Sequence, residues 1–312
     1  MSALSEEQTY WLGKLANLNA ARTQRRGIAP HKPLMLLTVI DLIEAGHVFE
    51  GWVKYDVFLA SRFRDYWELV LERQRNKPDI TMPFHALGSE RDQIWERFTI
   101  DGEPSFSKET TRLCSLAAGL FSCLQCPLFR CEARKVMVAR YFTPSEQVML
   151  SERLRLPIPE SKDVQELRAR ADEFKARQKK GRDSGFKSDV LGGYYFTCAL
   201  TGYRLDTERS SIVQAAHIHQ HAVSGNDDAR NGLALTPDAH WMFDAGLWTV
   251  IKKGDGFFIE LAISRFSEIP IYVDRFTYLH QKPIHFHPSA RLRPDIKNFA
   301  WHWRKHRFSF TS

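Results

Sequence analysis

The sequence holds no apolar run near the roughly 20 residues that a bilayer crossing needs, so no membrane-spanning helix is expected. Its opening, MSALSEEQTYWLGKL, has neither the basic n-region nor the apolar h-region of a secretory signal. Both absences lead us to expect a cytoplasmic protein. Cysteine is scarce: five in 312 residues, an odd number, which argues against a disulfide framework. Internal repeats and low-complexity tracts are missing as well. What is present is a hydrophobic content of 43%, enough for real cores and too much for wholesale disorder. The length suits two domains of ordinary size. A formal net charge of +7 suits a polyanionic partner, although such an excess also occurs in proteins that bind none.

Four of the cysteines, Cys114, Cys123, Cys126 and Cys131, fall in one segment, RLCSLAAGLFSCLQCPLFRCEARK. Cys123 and Cys126 form a CxxC, a spacing found in zinc sites. The competing reading is core packing, which the apolar helical pattern and the distance to Cys114 favour. Cys198 has no CxxC partner, so no structural zinc is expected near it.

The most informative stretch is QAAHIHQHAVSGNDDARNGLALTPDAHWMFDAGLWT, Gln214 to Thr249. Three polar side chains stand out in it, His217, Asn231 and His240, at intervals of 231 − 217 = 14 and 240 − 231 = 9. Ile212 to Ile218 reads as a short extended run, and Gly225-Asn226-Asp227-Asp228 has strong turn chemistry. Asn231-Gly232 opens a second extended run, Leu233–Ala234–Leu235. Thr236 then caps a helix with Pro237 at its first position and Asp238 in its first turn. On that helix His240 and Asp244 are four apart and share one face, a spacing that lets two side chains hold one metal ion.

This order of parts resembles the HNH nucleases and their ββα-metal fold. The residues that carry the resemblance are Ala215-Ala216-His217-Ile218, Asn231-Gly232-Leu233-Ala234-Leu235 and His240-Trp241-Met242-Phe243-Asp244-Ala245-Gly246. Cys198-Ala199-Leu200-Thr201-Gly202 also looks like the lead-in of one bacterial branch. The resemblance implies that His217 is the general base, drawing a proton from the attacking water. A neutral imidazole suits that task, since its ordinary pKa lies near 6.5. It implies that His240, with Asp244 as second ligand, holds one divalent metal, Mg²⁺, with Mn²⁺ or another transition ion able to substitute. Asn231 would brace the loop and orient His217. The sequence departs from the family at Ala216, where many members carry an Asp or His ligand. His219 or His221 is the alternative donor.

Earlier in the chain, Glu6 to Thr23 has the apolar spacing of an amphipathic helix. A basic turn follows, and Ala29-Pro30-His31-Lys32-Pro33 leads into an apolar helix, LMLLTVIDLIEAG, closed by Gly46. Tyr55 to Leu71 reads as another helix, with further helices expected at about 107–125 and 131–142. APHKPLMLL, followed from residue 82 by MPFHALGSE, resembles the sulfur-binding domain of McrA-type restriction endonucleases. Those enzymes read DNA with a phosphorothioate backbone and cut it with a C-terminal HNH domain. Sulfur is larger, softer and less hydrated than oxygen, so a small apolar cup accepts it at low desolvation cost. Pro83 and Ala86 match the cup positions, and Lys32, beside His31, matches the basic position near the thiophosphate. Met82 stands where relatives have tyrosine. Arg25, Arg26 and His85 are candidate phosphate or base-edge contacts. Another modified-DNA reader, or a purely structural domain, is the competing reading of this region.

The expected fold class is α+β: a mostly helical DNA-reading domain at 1–142, a charged helical linker at 143–186 and an HNH nuclease domain at 187–312. Trp248–Ile251 and Phe257–Leu261 should pair as strands, and a helix should open at Pro294 with its aromatics packed and its basic residues outward. The expected partner is double-stranded DNA carrying phosphorothioates. One HNH site cuts one strand at a time, so a homodimer is expected for double-strand cleavage. Two rivals stand beside this reading. One is an HNH nuclease specific for another modification or a sequence; the other is a non-catalytic DNA-binding protein with a decayed HNH fold, which Ala216 favours and the intact trio opposes.

Overall fold

A serine decides where the first helix begins. Ser5 accepts the Gln8 backbone N–H while the Gln8 side chain returns to the Ser5 N–H, a reciprocal cap for α1 (Glu6–Ala16). The structure, a computed structural model, describes residues 4–23, 27–70, 78–90, 94–269 and 274–309. By its internal contacts the chain divides into two units, Met1–Ser184 and Gly185–Ser312.

In the first unit a two-residue hairpin, β1 (Arg22–Thr23) with β2 (Gly27–Ile28), precedes α2 (His31–Glu44). Leu34 to Ile40, Leu42 and Ile43 are all buried in α2, so most of this helix is enclosed and it forms the centre of the core. After β3 (Trp52–Lys54) comes α3 (Val57–Glu68), capped by the Asp56 carboxylate on the Leu59 N–H. Next are α4 (Thr81–Ala86), a 3-10 turn at Leu87–Ser89, β4 (Trp95–Phe98) and β5 (Leu113–Leu116). The three longer strands form one antiparallel sheet in the order β3-β5-β4. Helices α5 (Ala118–Gln125), α6 (Pro127–Tyr141), α7 (Pro144–Arg153), α8 (Lys162–Ala169) and α9 (Ala171–Gly193) follow.

Three expectations change here. The helix expected over Glu6 to Thr23 ends at Ala16, and Arg22–Thr23 is a strand. The helix expected over 107–125 starts only at Ala118; residues 113–116 are the central strand, with Cys114 and Leu116 inward and their neighbours half-buried. Both flanks of β5 carry partner strands, so tertiary pairing overrides the apolar run's helical look. Residues 143–186 are not one solvated linker helix. They fold as α7, α8 and the start of α9, and Val148, Val164 and Leu167 form a small core of their own. Cys114 and Cys123 are buried as free thiols, and among the described residues no group of three or more His, Cys, Asp or Glu gathers as a metal cage.

A buried ion cluster ties the helices of this unit together. Asp41 of α2 accepts from Arg134 of α6 at 2.8 Å and from the Tyr66 hydroxyl of α3 at 2.7 Å, with Arg62 at 3.7 Å. Burial and the neighbouring Asp41 charge push the Tyr66 phenol well above its ordinary range.

The second unit contains β6 (Gln214–His217), a single turn α10 (His221–Ser224), a 3-10 turn at Ala229–Asn231, β7 (Gly232–Leu235) and α11 (Pro237–Asp244). Strands β6 and β7 pair antiparallel with His217 opposite Gly232. Then β8 (Trp248–Lys253) and β9 (Gly256–Leu261) form a hairpin, and α12 (Ile296–Lys305) packs against β8. The strands expected at 248–251 and 257–261 are therefore present, each slightly longer. Trp248 is fully buried and donates its indole N–H to the Ala239 carbonyl of α11 at 3.0 Å. On α12, Trp303 donates to the Val250 carbonyl at 3.1 Å, and Trp301 stacks on His219 under the Lys305 ammonium. The protein is thus a mixture of helices and small sheets. No helix among the described residues is long and apolar enough to cross a membrane.

Candidate active site

Antiparallel pairing of β6 with β7 folds the 218–231 loop back over the strand end, and this places His217 and Asn231 together. Asn231 is fully buried. Its side-chain oxygen accepts the His219 N–H at 2.9 Å, and its NH₂ donates to the carbonyls of His219 and Asn226, each at 2.9 Å. With one donor and two acceptors around it, the amide can point only one way. Asn231 therefore braces the backbone two residues beyond His217 and does not touch that ring through any of these bonds.

His217 is held from two sides. Its ring lies flat on Phe186, with centroids 3.6 Å apart and planes 6° apart. Its Nε2 is 3.1 Å from Oδ1 of Asp227, and the other carboxylate oxygen is 3.3 Å from Nε2 of His221. In the sequence Asp227 shows only turn chemistry. The β6–β7 register is the signal that brings it within reach of the strand end. Gly232, across from His217, is required by close approach: a Cβ there would collide with the Val190 side chain and press on the Phe186 ring.

On α11 the helical spacing puts His240 and Asp244 on one face. His240 Nε2 lies 3.4 Å from Asp244 Oδ2, and His240 Nδ1 lies 3.1 Å from Gln214 Oε1 on β6. Gly246 ends the helix in the left-handed region at φ 68°, with the His306 ring against it, so a side chain there would be both strained and blocked. A nitrogen and a carboxylate oxygen this close, on one exposed helix face, fit a divalent cation of borderline softness. Among the described residues no third His, Cys, Asp or Glu joins them, and Ala216 presents only a buried methyl. His219 stacks on Trp301 and His221 is directed at Asp227, so neither fills that place here. Water and substrate oxygens would complete the coordination. Trp241, beside His240, is 66% exposed, an aromatic face not singled out by the sequence reading.

Behind the helix, His302 donates Nε2–H to the Phe243 carbonyl at 2.9 Å and accepts from the Thr249 hydroxyl at 3.1 Å. Burial is the main cause that pulls its pKa down to about 4. It is a neutral core histidine that anchors α12 to α11 and β8.

The candidates of the first unit are placed less simply. His31 and Lys32 open α2, and α4, which carries Met82, Pro83, His85 and Ala86, packs on that helix. Lys32 is hydrogen-bonded to Glu90 and to the Asn19 carbonyl, and Glu90 is itself buried. The His31 ring sits 4.8 Å from that of Trp67. His85 bonds through Nδ1 to the Thr111 hydroxyl at 2.8 Å and through Nε2 to Arg97 at 3.0 Å. Desolvation first, then the Arg97 charge, lowers its pKa. Pro83 is buried, Ala86 half-buried and Met82 exposed. Arg25 and Arg26 lie outside the described residues.

Residues 198–251 match the family model described as HNH endonuclease. The chain carries an HNH endonuclease domain. The match covers a small part of the chain, and it contains His217, Asn231, His240 and Asp244. A comparison with curated proteins finds no match. Among solved structures the chain is similar to one titled "Modification dependent TagI restriction endonuclease", at 20% identity and a TM-score of 0.29. That similarity covers 38% of this chain and 36% of the other, so it spans about a third of that protein. The match supports a nuclease domain at these residues, and HNH endonuclease domains generally use a divalent metal.

Proposed function

We propose that the chain is a type IV, modification-dependent restriction endonuclease whose HNH domain hydrolyses a DNA phosphodiester with a divalent metal. One observation carries this reading: an imidazole on a strand end and a His–Asp pair on the next helix occur in one β6–β7–α11 unit. His217 takes the proton from a water that attacks the phosphorus, and the bond to the 3′ oxygen breaks on the opposite side. His240 and Asp244 hold the metal, which when bound supplies positive charge to offset charge on the phosphate and the leaving oxygen. Asn231 keeps the loop that follows His217 in place. Mg²⁺ is the proposed ion, with Mn²⁺ able to substitute. Since one such site cuts one strand, cleavage of both strands is assigned to a homodimer.

The first unit is proposed as the reader of phosphorothioate DNA, with Met82 and Ala86 as accessible soft and apolar surface and Lys32 as the charge near the thiophosphate. A second reading, a reader of another modification or of sequence, is favoured by one group of contacts. Lys32 is neutralised by Glu90, both nitrogens of His85 are engaged, and Pro83 is buried. Duplexes of one sequence, plain, phosphorothioated or base-methylated, separate the two in a binding and cleavage assay with Mg²⁺. Preference for the sulfur duplex that disappears in Lys32→Ala or with a bulky residue at Ala86 supports the first reading. Equal binding of sulfur and plain duplex rejects it.

A further inference from the structure

We propose that Asp227 is a positioning residue for His217: its carboxylate holds the Nε2 edge of the ring so that the base acts through Nδ1. This inference rests on the nuclease reading above and deepens it. An ionised carboxylate can only accept hydrogen bonds. Oδ1 of Asp227 stands 3.1 Å from Nε2 of His217, so the hydrogen of the neutral ring belongs on Nε2 and the lone pair on Nδ1. Left alone, a histidine populates both tautomers, and only one of them presents a basic atom in a given direction.

The carboxylate is itself held. Its second oxygen lies 3.3 Å from Nε2 of His221, and its side chain is only 13% exposed. Phe186 covers one face of the His217 ring. Phe186 therefore specifies the ring plane, and Asp227 specifies the ring edge and the tautomer. The arrangement also suits the second half of the step. Once the proton from water has moved onto Nδ1, the ring is an imidazolium, and the carboxylate already in contact with Nε2–H offsets the new charge without rearrangement. The water's remaining hydroxide forms the bond to phosphorus as the bond to the 3′ oxygen breaks, so the proton and electron pair are both accounted for. The sequence places Asp227 in a turn, and the neighbouring Asp228 makes the turn-like contacts, accepting the Arg230 N–H at 2.8 Å. That leaves the Asp227 carboxylate to the two histidines.

The test uses the full chain, with ¹⁵N-labelled histidine, in wild-type, Asp227→Ala and Asp227→Asn forms. In metal-free protein the His217 nitrogens should report an Nε2–H tautomer in the wild type. Asp227→Asn, which keeps an accepting oxygen, should retain that tautomer, and Asp227→Ala should give a mixture. On a phosphorothioated supercoiled plasmid with Mn²⁺, kcat for Asp227→Ala should fall roughly 10- to 100-fold with KM little changed. Asp227→Asn should fall less, because it restores the tautomer but not the charge. An unchanged tautomer and unchanged kcat in Asp227→Ala overturn the proposal. So does a loss of kcat that merely follows a fallen melting temperature while the tautomer stays put. Should the wild type cut no DNA at all, the nuclease reading fails, while the ¹⁵N spectra still decide whether Asp227 sets the ring.

Discussion

Replacing Asn231 with Asp alters almost no volume and yet inverts the chemistry of the loop brace. The asparagine is fully buried, and its oxygen faces one N–H while its NH₂ faces two carbonyls, all at 2.9 Å. In Asn231→Asp the accepting oxygen survives, but the second oxygen confronts the His219 and Asn226 carbonyls. Two buried acceptors lose their donors at about 1–3 kcal/mol each, so the loss is roughly 2–6 kcal/mol. The new carboxyl cannot easily ionise there, and its pKa rises in the folded state. A raised folded pKa means that the folded form holds a proton the unfolded form has released. The variant should therefore regain stability as pH falls toward the unfolded value of about 3.9, because the protonated group can donate to one carbonyl. Denaturant unfolding at pH 7 and pH 5, followed by tryptophan fluorescence, reads both effects. A loss under about 0.5 kcal/mol at pH 7, or a larger loss at pH 5 than at pH 7, refutes the bracing role.

Further expectations follow from other contacts. His302, with its pKa at about 4 against an ordinary 6.5, stays neutral when folded and gains a proton when unfolded. Its contribution, about 3 kcal/mol, is complete above pH 6.5 and is lost as pH falls toward 4. His302→Gln should flatten that part of the stability–pH curve, and an unaltered slope contradicts the assignment. Asp41→Ala should destabilise the first unit by about 3–5 kcal/mol by removing the charge that faces Arg134, and a loss below about 1 kcal/mol in denaturant unfolding argues against it. Gly232→Ala should lower the melting temperature and also kcat, since the methyl would collide with Val190 and with the Phe186 ring that supports His217.

The elements of the second unit that resemble the HNH pattern were readable because their signals are local. Thr236-Pro237 opens α11, His240 and Asp244 follow at helical spacing, and Asn231-Gly232 starts β7. The partners of these residues were not readable, since they depend on register. Asp227 reaches His217 only because β6 and β7 pair, and Gln214 meets His240 only because α11 returns over β6. In the first unit the apolar helix α2 was evident from its run of large side chains. Strand β5 was hidden within a segment of helical composition, because the choice was made by its two neighbouring strands. Glu90 lies 58 residues from Lys32, so no window of sequence joins them. Val148, Val164 and Leu167 are too few and too dispersed among charges to announce a core.

The account stands most directly on the cleavage rate of His217→Ala beside the wild type, on the same modified duplex, with and without Mg²⁺. The wild type should cut only with the metal, and the variant should bind the duplex equally while cutting about 100- to 10,000-fold more slowly. Cleavage by the variant at the wild-type rate, or by the wild type in the presence of a chelator, contradicts the assignment of His217 as base opposite a metal held by His240 and Asp244.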